Sequence, residues 1–87
     1  MRTLRIDIFH GNGLRREHVR TIDVPVESAK RLTADRARRI LVRTLPGFRD
    51  PIMHPVDGGY EAQRTYAPLE GCSYHYVWEF ALVREPE

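Results

Sequence analysis

Eighty-seven residues and 10.2 kDa leave room for one domain, and a chain this short buries only roughly 60–65% of the surface its unfolded form exposes. A composition of 41% hydrophobic and 30% charged residues excludes a disordered tail, and apolar runs as short as Phe80-Ala81-Leu82-Val83 exclude a membrane-spanning helix. Fourteen basic against twelve acidic residues leave a net charge of only +2, yet thirteen of the fourteen are arginine.

Met1 to His10 reads as a strand, with Leu4, Ile6, Ile8 and His10 on one face and Thr3, Arg5, Asp7 and Phe9 on the other. Its alternation of charged and aliphatic residues lacks the continuous apolar stretch of a signal peptide, so a cytoplasmic chain is expected. Gly11-Asn12-Gly13 is a strong turn signal because glycine and asparagine accept positive φ. A second strand is expected from about His18 to Val26, paired with the first across a loop, Gly11 to Glu17, that carries Arg15 and Arg16. Pro25 lacks a backbone donor, so this strand either lies at a sheet edge or ends there.

Thr33 is a good N-cap, and Asp35 suits the positive end of a helix dipole. Ala34, Ala37, Ile40, Leu41 and Leu45 fall on one stripe at helical spacing, which predicts a helix over 34–45 with Glu27 to Leu32 as its lead-in. Pro46 and Gly47 stop it. Three prolines and three glycines between residues 46 and 59 predict a long ordered loop, a feature often tied to function in small domains.

Two more strands follow, about Tyr60 to Ala67 and Cys72 to Arg84, joined by a turn at Pro68-Leu69-Glu70-Gly71. The lone Cys72 excludes an internal disulfide and fits a reducing compartment. On the last strand Tyr74, Tyr76, Trp78, Phe80 and Leu82 share one face, opposite Ser73, His75, Val77, Glu79 and Ala81. The order is therefore ββαββ. An α+β two-layer sandwich is expected, with an antiparallel sheet of about four strands and one helix packed on one face. The aromatic face of the last strand is the natural partner for Ile40, Leu41 and Leu45, which leaves Trp78 and Phe80 little role as stacking platforms.

The segment 27–45 holds six basic residues against Glu27 and Asp35, so the remainder of the chain is net acidic. Arg36, Arg39 and Arg43 lie within about 60° of one another on a helical wheel, opposite the apolar stripe. Arginine's planar fork suits phosphates and carboxylates, so the ridge fits nucleic acid or an acidic protein surface, or is an ordinary solvated face. Arg15, Arg16 and Arg20 on the hairpin could extend it. Tyr60, Arg64 and Tyr66 share a face of their strand and are candidates for an exposed contact surface, with His54 on the long loop as a shape element.

Metal chemistry is not expected. The four histidines have no ligand spacing, and Cys72 and His75, three apart in a strand, point to opposite faces. No catalytic residue and no cofactor is assigned. A metal-free nuclease could be assembled from His54, Asp50 or Asp57 and an arginine, but only the residue types support it.

The layout resembles small proteins carried by phages and mobile elements. Ile22-Asp23-Val24 leading into Ser28-Ala29-Lys30-Arg31-Leu32 is similar to a strand-to-helix junction in a ββαββ anti-CRISPR family that acts on type I surveillance complexes. That resemblance implies a stoichiometric inhibitor that occupies a nucleic-acid-binding surface without catalysis. The leading expectation is accordingly a small non-enzymatic binding protein that docks on a protein or ribonucleoprotein. Direct DNA or RNA binding through the arginine-rich helix face is the alternative, and a small metal-independent ribonuclease the second. No membrane partner is expected, and a homodimer is compatible with an uncovered sheet edge.

Overall fold

The computed structural model describes residues 2–12, 15–26, 31–66 and 77–85. They form β1 (Arg2–Asn12), β2 (Arg15–Val26), α1 (Ala34–Thr44), β3 (His54–Val56), β4 (Gly59–Tyr66) and β5 (Val77–Arg84). The strands make one antiparallel sheet in the order β2-β1-β5-β4-β3, so the fold is α+β with a single helix and five strands among the described residues.

The expectation of four strands in a ββαββ order is corrected by β3, which lies inside the expected loop 46–59 and pairs with the start of β4, Val56 opposite Gly59. Gly58 closes this reversal at φ 84°, a left-handed conformation that glycine adopts without a Cβ penalty. Pro55 is tolerated because β3 is a sheet edge. The first hairpin also differs from expectation. Pairing runs from Arg2 opposite Val26 up to Asn12 opposite Arg15, so most of the expected loop from Gly11 to Glu17 is strand. A register shift between Ile8 and Phe9 leaves Val19 as the extra residue on β2. β2 is an edge strand, as Pro25 suggested. The expected turn at residues 68–71, and residues 72–76 of the expected last strand, lie outside the described residues.

α1 begins where its capping chemistry requires. Thr33 is extended (φ −122°, ψ 166°), and its hydroxyl accepts the Arg36 backbone N–H at 3.3 Å. Asp35 in the first turn and Arg43 in the last complement the dipole. The helix ends at Thr44, one residue short of the expected end, and the N–H of its C-cap Leu45 donates to the Leu41 carbonyl at 2.7 Å. Thr33→Ala is expected to lower the unfolding free energy by about 1 kcal/mol, and Thr33→Ser to change it little, as read from urea titrations.

Ala37, Ile40 and Leu41 of α1 are buried against Leu4, Ile6 and Ile8 of β1, Ala62 of β4, and Ala81 and Val83 of β5. Phe48, just after the helix, completes this core. Ala34, assigned to the apolar stripe, is exposed.

Candidate functional site

The register decides which side of β5 meets the helix. Val83 lies opposite Ile6 on β1 and Tyr60 on β4, while Ala81 lies opposite Ile8 and Ala62. These residues are in or against the helix-side core. Side chains alternate along a strand, so Trp78, Phe80, Leu82 and Arg84 point to the other side. The expectation that the aromatic face packs on the helix is therefore overturned. The small residues Ala37, Ala62 and Ala81 let the helix approach the sheet closely, and bulky rings there would hold it away.

On the helix-free face, the Trp78 and Phe80 rings lie side by side, with centroids 6.4 Å apart and planes 18° apart. The Arg16 guanidinium sits 3.6 Å from the Phe80 centroid, and its Nη1 donates to Glu61 Oε2 at 2.7 Å. Phe80 is thereby 6% exposed, whereas Trp78 remains 38% exposed. Next to them Phe9 of β1 meets His18 of β2 edge-on at 5.3 Å.

Asp7 is the one buried charged residue among those described. Its Oδ1 accepts the Thr21 hydroxyl at 2.6 Å and faces His18 Nε2 at 3.3 Å, while its Oδ2 pairs with Arg84 Nη2 at 3.0 Å. Burial by itself raises the Asp7 carboxyl, but the bonds from Thr21 and His18 and the Arg84 charge outweigh it and hold the group below its usual value. The same nitrogen, His18 Nε2, faces both Thr21 Oγ1 (2.9 Å) and Asp7. A nucleophilic relay needs the carboxylate on one ring nitrogen and the hydroxyl on the other. Here the hydroxyl donates to the acid, so the cluster serves to hold a buried carboxylate.

A second cluster lies on the helix side. Glu79 Oε1 accepts from Arg64 Nε and Nη2, both at 2.7 Å, and Oε2 faces His10 Nε2 at 2.7 Å. Burial raises the Glu79 carboxyl, and the His10 and Arg64 contacts more than reverse this, so it too is lowered. The Arg64 guanidinium also lies 4.9 Å from the Phe48 centroid and passes over Gly47, where a Cβ would meet Nη1. Arg64 and Tyr60 were expected on an exposed contact surface. The structure instead packs Tyr60 against the core and ties Arg64 to Glu79. Tyr66 ends β4 opposite Val77.

Of the other candidate residues, Arg36, Arg39 and Arg43 lie on α1 outside its buried stripe, with Arg36 half-buried and the other two exposed. Asp35 pairs with Arg39 at 2.8 Å and with Arg38 at 3.6 Å. Arg15 and Arg16 are neighbours on a strand and so project to opposite sides. Arg16 lies on the helix-free face and cannot extend the helix ridge. His54 is exposed on β3, opposite Glu61.

No hydrogen bond or ion pair joins His54, Asp50 and Asp57, and no three His, Cys, Asp or Glu side chains converge as metal ligands, among the described residues. Cys72 and His75 lie outside those residues. No described helix is long and apolar enough to cross a membrane. Searches with protein-family models and among curated proteins and solved structures find no match to this chain.

Proposed function

We propose that this chain is a non-enzymatic binding protein that docks on a protein or ribonucleoprotein partner through the helix-free face of its sheet. The observation that carries this reading is Trp78, a large ring left 38% exposed beside Phe80 on the side the core does not use. Tryptophan and arginine dominate interface hot spots, and here Arg16 is already ordered over the neighbouring ring. The arginines on this face each have an acid partner, Arg16 with Glu61 close to Trp78, and Arg5 with Asp23 and Arg84 with Asp7 toward the other end of β5. A neutralised, partly aromatic surface suits a protein partner better than a polyanion. A docking protein that acts stoichiometrically is also the kind of molecule the phage-protein resemblance implies, although the fifth strand departs from that layout.

The test is affinity capture from the source cell with wild type and Trp78→Ala, followed by titration of the recovered partner. The wild type should retain a stoichiometric partner, and Trp78→Ala should bind it about thirtyfold more weakly or worse, the size of a hot-spot loss of about 2 kcal/mol. A partner bound equally well by Trp78→Ala would overturn the assignment of this face, and recovery of none would overturn the reading itself.

A further inference from the structure

The helix side of the sheet carries both paired arginines, Arg38, Arg39 and Arg64, and arginines without an acid partner, whereas the helix-free face carries paired ones among the described residues. Those projecting from the helix-free face, Arg5, Arg16 and Arg84, are each paired with an acid. Arg15, Arg20, Arg31, Arg36, Arg43 and Arg49 have no acid partner among the described residues. Arg20 lies opposite Ile8, a core residue, so it projects from β2 on the helix side, and strand alternation from Arg16 sends Arg15 the same way. Arg31, Arg36, Arg43 and Arg49 belong to α1 and its flanks. The arginines without an acid partner are thus collected on the side of the sheet that carries the helix, where, among the described residues, they outnumber the acids without a basic partner, Glu17 and Asp50.

We infer that this helix side docks on the phosphate backbone of duplex nucleic acid, with Arg36 and Arg43 at its centre. Seven residues apart, these two are separated by about 10 Å along the helix axis and fall on one flank of it, so they can reach separate phosphates. The guanidinium fork matches phosphate oxygens, and its charge is not titrated away at any working pH. Protein interfaces bury an apolar centre from which charges are depleted. On α1 the side chains outside the buried stripe are dominated by Asp35, Arg36, Arg38, Arg39 and Arg43, which favours a polyanion over a protein. Single-strand binders add exposed rings for stacking, and the exposed ring among the described residues, Trp78, lies on the opposite face. The inference concerns a surface separate from the Trp78 face, and either can fail alone.

The test is fluorescence anisotropy of a labelled DNA duplex of about 20 base pairs over a range of salt concentrations, with polyglutamate as competitor. Wild type should bind at low salt, with log affinity falling linearly against log salt. Arg36→Ala/Arg43→Ala should flatten that slope by about 1.8, the loss of two phosphate contacts, and far-UV circular dichroism should show that the helix persists. Arg5→Ala removes charge from the other face and should leave the slope unchanged, as should Trp78→Ala. Absence of duplex binding at low salt, an equal flattening by Arg5→Ala, or displacement of duplex by polyglutamate at comparable charge concentration would each overturn the inference.

Discussion

Phe48→Ala is expected to destabilise the protein by about 3–5 kcal/mol, the largest loss of any single side-chain truncation considered for this chain. Phe48 is 1% exposed and among the largest fully buried side chains, although it follows Pro46-Gly47 in a segment without regular structure. Its N–H donates to the Leu45 carbonyl at 3.0 Å, which folds the chain back after the helix and sends the ring into the core. Removing the ring opens a cavity and strips Arg64 of the aromatic face beside it. A domain of this size has about 5–15 kcal/mol of stability in total, so the variant should be close to unfolding at room temperature. Trp78→Ala, a larger deletion on the helix-free face, should cost only about 1 kcal/mol, chiefly the contact with Phe80. Urea titrations of the two variants test which side of the sheet is the core. A greater loss for Trp78→Ala than for Phe48→Ala would mean the assignment of faces is wrong.

Much of the framework is legible in the sequence because it rests on local chemistry. Thr33, the apolar spacing of Ala37, Ile40 and Leu41, and Pro46 after the helix fix α1 to within a residue. Period-two alternation places β1 and β2, and Pro25 marks the edge. The side of β5 that faces the helix was not legible, because both sides carry apolar residues and alternation alone does not rank them. Ring size points to Trp78 and Phe80. Close packing instead selects Ala81 and Val83, matched across the register by Ala62 and Ile6. Their small volumes are the signal that could have identified the helix side. β3 escaped notice because it is three residues long and contains Pro55, which only an edge strand accepts. The candidate site was harder still. The pairing of Arg64 with Glu79, of Arg16 with Glu61 and of Arg84 with Asp7 depends on which residues stand side by side across strands, and no spacing within one strand encodes that. The ridge of Arg36, Arg39 and Arg43 could be read because one helix carries it whole.

Those cross-strand pairs give the protein an acid-sensitive component of stability. Glu79 and Asp7 are both held below their ordinary values, 4.5 and 3.8, once the raising effect of burial has been outweighed by their partners. A carboxylate whose folded value lies below its unfolded one contributes stability that is present above the unfolded value and is lost as pH falls through the folded value. The loss should therefore begin near pH 4.5 with Glu79, continue below 3.8 with Asp7, and be complete only beneath both folded values. Glu79→Gln should cost about 1.5–3 kcal/mol at neutral pH, since it removes the carboxylate charge that balances the Arg64 guanidinium and weakens the bonds from Arg64 and His10. Below pH 4.5 the variant should lose stability less steeply than wild type, because the proton that wild type takes up on unfolding has no counterpart at this position. Asp7→Asn should show the same flattening at lower pH, with Thr21, His18 and Arg84 as the partners left behind. Urea midpoints measured from pH 7 to pH 3 separate the two. Parallel curves for wild type and both variants would mean that these carboxylates do not set the acid limit. Neither substitution removes Trp78 from its surface or Arg36 and Arg43 from theirs. At neutral pH both variants should unfold more readily, and each removes the acid paired with an arginine, Arg84 on the Trp78 face or Arg64 on the helix side, so the binding of either is read against that added charge.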